Sequence, residues 1–288
     1  MCTYAVAAPV RMPIEARVSP WLRPKPYYDG YMPASPATHP QAAQPRAALT
    51  VLAPDLWSAQ HQLSVQGLPV RTRMTVARLP GNRLWLHSPI APSPALCHAL
   101  NALGQVAWVV APSRMHHLFA GQWLQHYPTA TLWGAPGLAE KRPDLSQLHT
   151  LPNAIALPPT QAANPVAPAL PGDWHTAFAM QLFGGIPLLN ETIWLHRASG
   201  SLIVTDVLQY YPQDLSLSAR LFNSLNGTRS HLAMPRAIRF AIRDKAAARA
   251  SAQTIAAWPV QRIVLAHDTV IDTDAAAQLQ AAWAFLLG

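Results

Sequence analysis

The chain has 288 residues, half of them apolar and only 12% charged, with 21 basic residues against 13 acidic ones. That balance excludes a disordered chain, and the length suits one large domain or two modest ones around a substantial core. Two cysteines without a CxxC pair exclude a disulfide framework, and no apolar run reaches the roughly eighteen residues that span a bilayer, so a cytoplasmic protein with no membrane partner is expected.

Residues 1–47 hold nine of the 29 prolines and show neither helical nor strand periodicity. They read as an irregular arm ahead of a domain over 48–288. Eighteen of the basic residues are arginine, which suits an anionic partner. No dense basic block or aromatic-interleaved RNA motif accompanies them, so nucleic acid is not the expected partner.

The folded part opens with a strand and turn in LTVLAPDLW. A hairpin follows in RTRMTVARLP and GNRLWLHSP, with Pro80-Gly81-Asn82 as its turn. Ser93 and Pro94 open a helix that runs to Leu103 and stops at Gly104. The apolar run Val106–Val110 then reads as a buried strand, followed by a loop carrying His116 and His117 and by a helical pattern through Trp123 and Leu124. A short strand in TATLWG, a turn in GLAEKRPDL and a Pro/Ala-rich connector over 151–172 complete the first half.

In the second half, His175–Phe183 and Glu191–His196 read as strands. A turn at Ala198-Ser199-Gly200 leads into the buried strand SLIVTD, which ends on Asp206. Helical patterns cover roughly 214–225 and 243–257. The apolar strand VQRIVLAHD ends on His267-Asp268, and a final helix runs from Asp274 to Leu287 with Thr273 as its cap. The alternation of strands and helices argues for α/β layering.

Three apolar strands thus end in groups able to hold a metal: His116/His117, Asp206 and His267. Parallel strands deliver their carboxyl ends to one edge of a sheet, where ligands usually sit, and neutral imidazole is the commonest protein metal ligand. Each group alone also has an ordinary reading. Asp206 is a competent helix N-cap, His267 a plain loop histidine, and one of the paired histidines a helix cap or packing group.

The same order of elements resembles the metallo-β-lactamase fold, a four-layer αββα sandwich also used by ribonuclease Z and the hydroxyacylglutathione hydrolases. More closely, RLWLHSP, GQVAWVVAPSRMHHLFAGQWLQHYPTA, NETIWLHRASGSLIVTD and RIVLAHD resemble an uncharacterised branch of that superfamily, a domain of unknown function. The resemblance covers about 48–287 and omits the proline-rich arm. It implies a metal loop of the form His-x-His-x-Asp-His, onto which PSRMHH places Pro112 and Arg114 at the first two histidines, His116 at the aspartate and His117 at the last histidine. Asp206 falls on the bridging aspartate and His267 on the final histidine. The remaining histidine has no clear match: Glu191 and Asn190 are nearest, with His175 and His196 as rivals.

The resemblance therefore implies a reduced centre, with one Zn²⁺ or Fe²⁺ ion held by His116, His117, Asp206 and His267, or a degenerate centre with no ion. With one position open to water, it implies hydrolysis of an ester, thioester or phosphodiester in a small-molecule substrate. Arg114 then either clamps an anionic group of that substrate or pairs with Asp206 in an inactive pocket. Glu191 is either a base or a half-exposed strand residue. His87 and His196 recur at strand ends as neighbours of the site or as core histidines. The alternative function is a non-catalytic protein of the same fold that binds a ligand or partner without metal.

Overall fold

Short apolar runs bounded by Gly, Pro and Asn pair into two sheets, and helices cover the outer face of each. The computed structural model describes residues 49–65, 68–157, 170–212 and 216–288. The proline-rich arm over 1–47 and most of the 151–172 connector lie outside the described residues.

The first sheet runs in chain order through β1 (Thr50–Ala53), β2 (Leu56–Val65), β3 (Leu68–Leu79), β4 (Arg83–His87), β5 (Gln105–Ala111), β6 (Thr131–Gly134) and β7 (Leu148–Thr150). Strands β1 to β4 are antiparallel, whereas β4, β5, β6 and β7 are parallel. Helix α1 (Pro94–Leu103) crosses from β4 to β5, and α2 (Ala120–His126) from β5 to β6. Ser93 caps α1 by accepting from the Leu96 N–H, with Pro94 at the first position as its sequence requires. The turn before β4 places Gly81 and Asn82 both at positive φ, which suits those two residue types.

The short helix α3 (Leu138–Lys141) lies between β6 and β7. The second sheet starts with β8 (Ala154–Ile155), and α4 (Gly172–Ala177) then leads into β9 (Phe178–Leu182). It continues through β10 (Thr192–His196), β11 (Ser201–Val204), β12 (Arg262–Leu265) and β13 (Val270–Ile271). The spatial order is β13-β12-β11-β10-β9-β8, with β11 and β12 parallel. Between β11 and β12 the chain forms α5 (Leu217–Asn226), α6 (Arg236–Phe240) and α7 (Lys245–Ala256), and it closes with α8 (Ala275–Leu287).

Three apolar interfaces make this a four-layer αββα sandwich. Met74, Val76, Leu86 and Val109 pack outward on Leu96 and Leu100 of α1 and Trp123 of α2. Leu195, Leu202, Val204 and Leu265 pack on Ala252 and Ile255 of α7 and Trp283 of α8. Between the sheets lies an aromatic layer in which Trp174 of α4 meets Trp85, Trp108, Trp133 and Trp194 at ring-centroid distances of 6.4, 5.9, 5.4 and 5.5 Å. Trp174→Ala is expected to cost about 3–5 kcal/mol in urea unfolding, because four rigid rings cannot collapse into the space. Trp174→Phe costs less, since it keeps an aromatic ring in most of the space and loses only a buried indole N–H that has no acceptor.

Several elements differ from the sequence expectations. His175–Phe183 is a strand only from Phe178 onward; His175 sits exposed on α4, whose turn carries Trp174 into the aromatic layer. Leu56–Val65, of which the sequence reading includes only Leu56 and Trp57, at the end of a strand and turn, forms ten residues of strand against β3. The turn GLAEKRPDL contains α3. The last helix is entered through Asp274 at φ 49°, whose side chain makes no capping bond, rather than through Thr273. Among the described residues no helix is long and apolar enough to cross a membrane.

Candidate metal centre

Three loops at one edge of the sandwich bring the chemistry together. The first follows β5, where Ser113 Oγ accepts from the backbone N–H groups of Met115 and His116 at 3.2 and 3.1 Å and tightens the turn. The second follows β11 and carries Asp206. The third follows β12 and carries His267, with Asp268 in the left-handed region at φ 68°.

The functional atoms of His116, Asp206 and His267 all lie within 4.8 Å of one another. His116 Nε2 stands 3.2 Å from His267 Nε2, His267 Nε2 stands 3.2 Å from Asp206 Oδ1, and His116 Nε2 stands 3.3 Å from Asp206 Oδ2. All three side chains are largely buried. Burial pushes the Asp206 carboxyl up, but the His116 imidazole and hydrogen bonding with His116 and His267 outweigh it and hold the group well below the usual carboxylate range. For His267, burial is likewise opposed by the Asp206 hydrogen bond and charge, and the net direction is upward.

The hydrogen bonds around this triangle set its protonation. His267 Nδ1 lies 2.9 Å from the Arg71 carbonyl oxygen, which can only accept, so Nδ1 carries the proton. In the neutral ring, Nε2 is then a bare lone pair facing a carboxylate oxygen and a second imidazole nitrogen. A proton on Nε2 serves Asp206 Oδ1, whereas the buried Oδ2 faces His116 Nε2 at 3.3 Å. A divalent cation serves all three donors. Donors on a tetrahedral Zn²⁺ stand about 3.3–3.4 Å apart, given bonds of about 2.0–2.1 Å. The separations here are close to that, at 3.2 Å between the imidazole nitrogens, 3.2 Å from His267 to Asp206 Oδ1 and 3.3 Å from His116 to the other carboxylate oxygen, Oδ2. The donor set therefore fits a metal ion.

Residues far away in sequence hold the triangle in place. Ser88 Oγ, at the end of β4, contacts His116 Nδ1 at 2.7 Å. The buried Arg73 guanidinium donates to the Leu265 and Asp268 carbonyls at 3.0 and 2.8 Å and to Ser58 Oγ at 3.0 Å, gripping the His267 turn from the β2–β3 hairpin. Arg71 pairs with the Asp268 carboxylate at 2.8 Å. Burial lowers Arg73 to about 10, which leaves it charged at neutral pH. Such supports orient metal-ligating groups, yet no local sequence signal marks them.

His117 is not brought to this triangle. Its Nδ1 accepts from Arg142 Nη1 at 2.9 Å, and burial together with the nearby Lys141 and Arg142 charges lowers it to about 4. It is therefore a neutral ring with its proton on Nε2 and its lone pair already engaged. Arg114 turns to the Pro187 carbonyl at 2.9 Å, with its Nε buried and without an acceptor, while the ion-pair partners of Asp206 are the two histidines. Glu191 is fully buried, and its carboxylate accepts from the backbone N–H groups of Thr205, Asp206 and Val207 at 2.6, 2.8 and 2.8 Å. Burial and the adjacent Asp206 charge raise it to about 7, against the pull of those three donors. The half-exposed reading of Glu191 does not hold; the residue orders the Asp206 loop. Asn190 donates to the Pro136 carbonyl at 2.9 Å. His196 contacts Ser199 Oγ at 2.8 Å, and His87 is buried against Trp85 at 5.1 Å.

The chain is similar to known proteins in family and in fold. The model of the family described as Domain of unknown function (DUF4336) matches residues 54–223. No curated protein matches the chain in sequence. Solved structures do match in fold. TMB-1 is similar at TM-score 0.56 with 12% identity, over 85% of this chain and 100% of its own. A metallo-β-lactamase from Erythrobacter litoralis, with β-mercaptoethanol in its active site, is similar at 0.53 and 15%, over 81% and 94%. The metallo-β-lactamase FIM-1 from Pseudomonas aeruginosa, in a mono-zinc form, is similar at 0.52 and 13%, over 85% and 100%.

Proposed function

Since this chain belongs to the DUF4336 family and has the metallo-β-lactamase fold, we propose that it is a divergent metal-dependent hydrolase with a single-metal centre held by His116, Asp206 and His267. The observation that carries this reading is the group of donors His116, Asp206 and His267, in which the Arg71 carbonyl engages His267 Nδ1 and leaves Nε2 as the atom that faces the carboxylate and His116. That FIM-1 exists in a mono-zinc form supports one ion as sufficient occupancy for the fold.

Two imidazoles and one carboxylate suit Zn²⁺ or Fe²⁺ and leave a coordination position open. When bound there, such an ion supplies Lewis acidity toward an ester, thioester or phosphodiester and lowers the pKa of water. The chain's own groups do the positioning. Arg71 and Ser88 fix the two imidazole rings, and Glu191 fixes the Asp206 backbone. In this reading Glu191 acts through Asp206 and is not the base.

The test is hydrolysis of ester, thioester and phosphodiester panels by protein loaded with Zn²⁺ or Fe²⁺. Turnover is expected with at least one class and is lost by about a hundredfold or more in Asp206→Ala. Metal-loaded protein that turns over none of the three, or an Asp206→Ala variant equal to the parent, sinks the reading. A second reading keeps the pocket without metal, as a site for a ligand or partner. It is favoured by Pro112 and Arg114 standing where the resemblance implies two histidines, and it predicts that chelator leaves thermal stability unchanged.

A further inference from the structure

Helix α5 faces the wrong way for a helix of a water-soluble domain. Ser216 caps it by accepting from the Ala219 N–H at 3.4 Å, and Gly227 ends it in the left-handed region, so its backbone is well supported. Its inward positions are Ala219 and Asn223. Its apolar positions, Leu217, Leu221 and Leu225 at four-residue spacing with Phe222 beside them, are each more than half exposed. Phe240, at the end of α6, is 85% exposed. The two helices are tied together: Arg236 Nη1 donates to the Leu225 carbonyl at 3.0 Å, and the Ala237 N–H donates to Asn226 Oδ1 at 3.2 Å. Five of the nine large apolar side chains exposed among the described residues belong to this pair of helices, so the exposure is a patch rather than scatter.

The charge of the same segment is one-sided. Between Ser216 and Arg243 there are five arginines, at 220, 229, 236, 239 and 243, and no Asp or Glu. Two candidate occupants are disfavoured by this. A second copy docked about a two-fold axis would bring arginines against arginines with no acid between them. The proline-rich arm is itself basic, with five Lys/Arg against Glu15 and Asp29 over residues 1–47.

We propose that the outward face of α5 and α6 docks on an anionic lipid bilayer, its leucines and phenylalanines entering the headgroup–acyl boundary and its arginines meeting lipid phosphates. Exposed Leu and Phe with a surround of arginine is the composition of helices that lie in a membrane interface. The expectation of no membrane partner rests on the length needed to span a bilayer, and lying on one has no such requirement. The patch shares no residue with the metal centre.

The test is co-sedimentation of the full chain with phosphatidylcholine vesicles and with vesicles of phosphatidylcholine and phosphatidylglycerol at about three to one. Binding to the anionic vesicles alone is expected, weakening as salt rises. The double variant Leu221→Glu/Phe222→Glu is expected to bind at least about tenfold more weakly with a thermal midpoint lowered by no more than a few degrees, because both side chains are more than half exposed. Arg229→Gln and Arg243→Gln each weaken binding about fivefold. No partition onto anionic vesicles, or equal partition by the double variant, overturns the proposal. So does a solution dimer of the parent protein that the double variant dissociates, since the face would then belong to a second copy.

Discussion

Glu191→Ala destabilises the domain by about 3–5 kcal/mol and takes the metal centre with it. The substitution leaves three buried backbone N–H groups, those of Thr205, Asp206 and Val207, without the acceptor they share. Each orphaned buried donor costs about 1–3 kcal/mol, and the three are neighbours on one loop, so the costs overlap and add to less than their sum. Glu191→Gln is expected to fall between the parent and alanine. It keeps one oxygen acceptor but turns an NH₂ group toward N–H donors that need acceptors. Urea unfolding followed by tryptophan fluorescence checks both, and a cost below about 1 kcal/mol for alanine would show that water replaces the carboxylate.

Metal loading raises the thermal midpoint by about 5–10 °C, the second large effect. An ion that binds the folded state at a hundred times its Kd adds about 2.7 kcal/mol, and a domain of this size gains about 2–4 °C per kcal/mol. The unfolded chain cannot reproduce the site, because its donors come from residues 116, 206 and 267. Differential scanning calorimetry with and without a strong chelator measures the shift. Asp206→Ala is expected to abolish it, and His117→Ala to preserve it, because the His117 lone pair faces Arg142 rather than the triangle.

The parts of this fold that are legible in the sequence share a local cause. Val106–Val110, SLIVTD and VQRIVLAHD are apolar runs with polar ends, and a buried strand of a layered α/β protein has to look that way. Their pattern alone marks their last residues as strand-end groups, but not that β5 lies in one sheet and β11 and β12 in the other. Between His116 and His117 the sequence offers no choice, since adjacent loop residues differ only in backbone direction. What separates them is Ser88 on one side and Arg142 on the other. Arg71 and Arg73 are invisible as site residues because their partners lie almost two hundred positions away in the chain, and an alternating strand gives no hint of that reach. Glu191 is legible as unusual, being one of only three glutamates, but its task depends on three N–H groups that only the folded loop aligns. For α5 the helical period is readable, and the side it turns to the protein is not. A stripe of leucines is normally the buried one, and here it is the outer one.

Elemental analysis of protein purified without chelator, beside Asp206→Ala and His117→Ala, tests the central claim most directly. The account predicts about one Zn or Fe per chain in the parent and in His117→Ala, and none in Asp206→Ala. Parent protein without metal even after incubation with Zn²⁺ and Fe²⁺, or metal retained at full stoichiometry in Asp206→Ala, would contradict it.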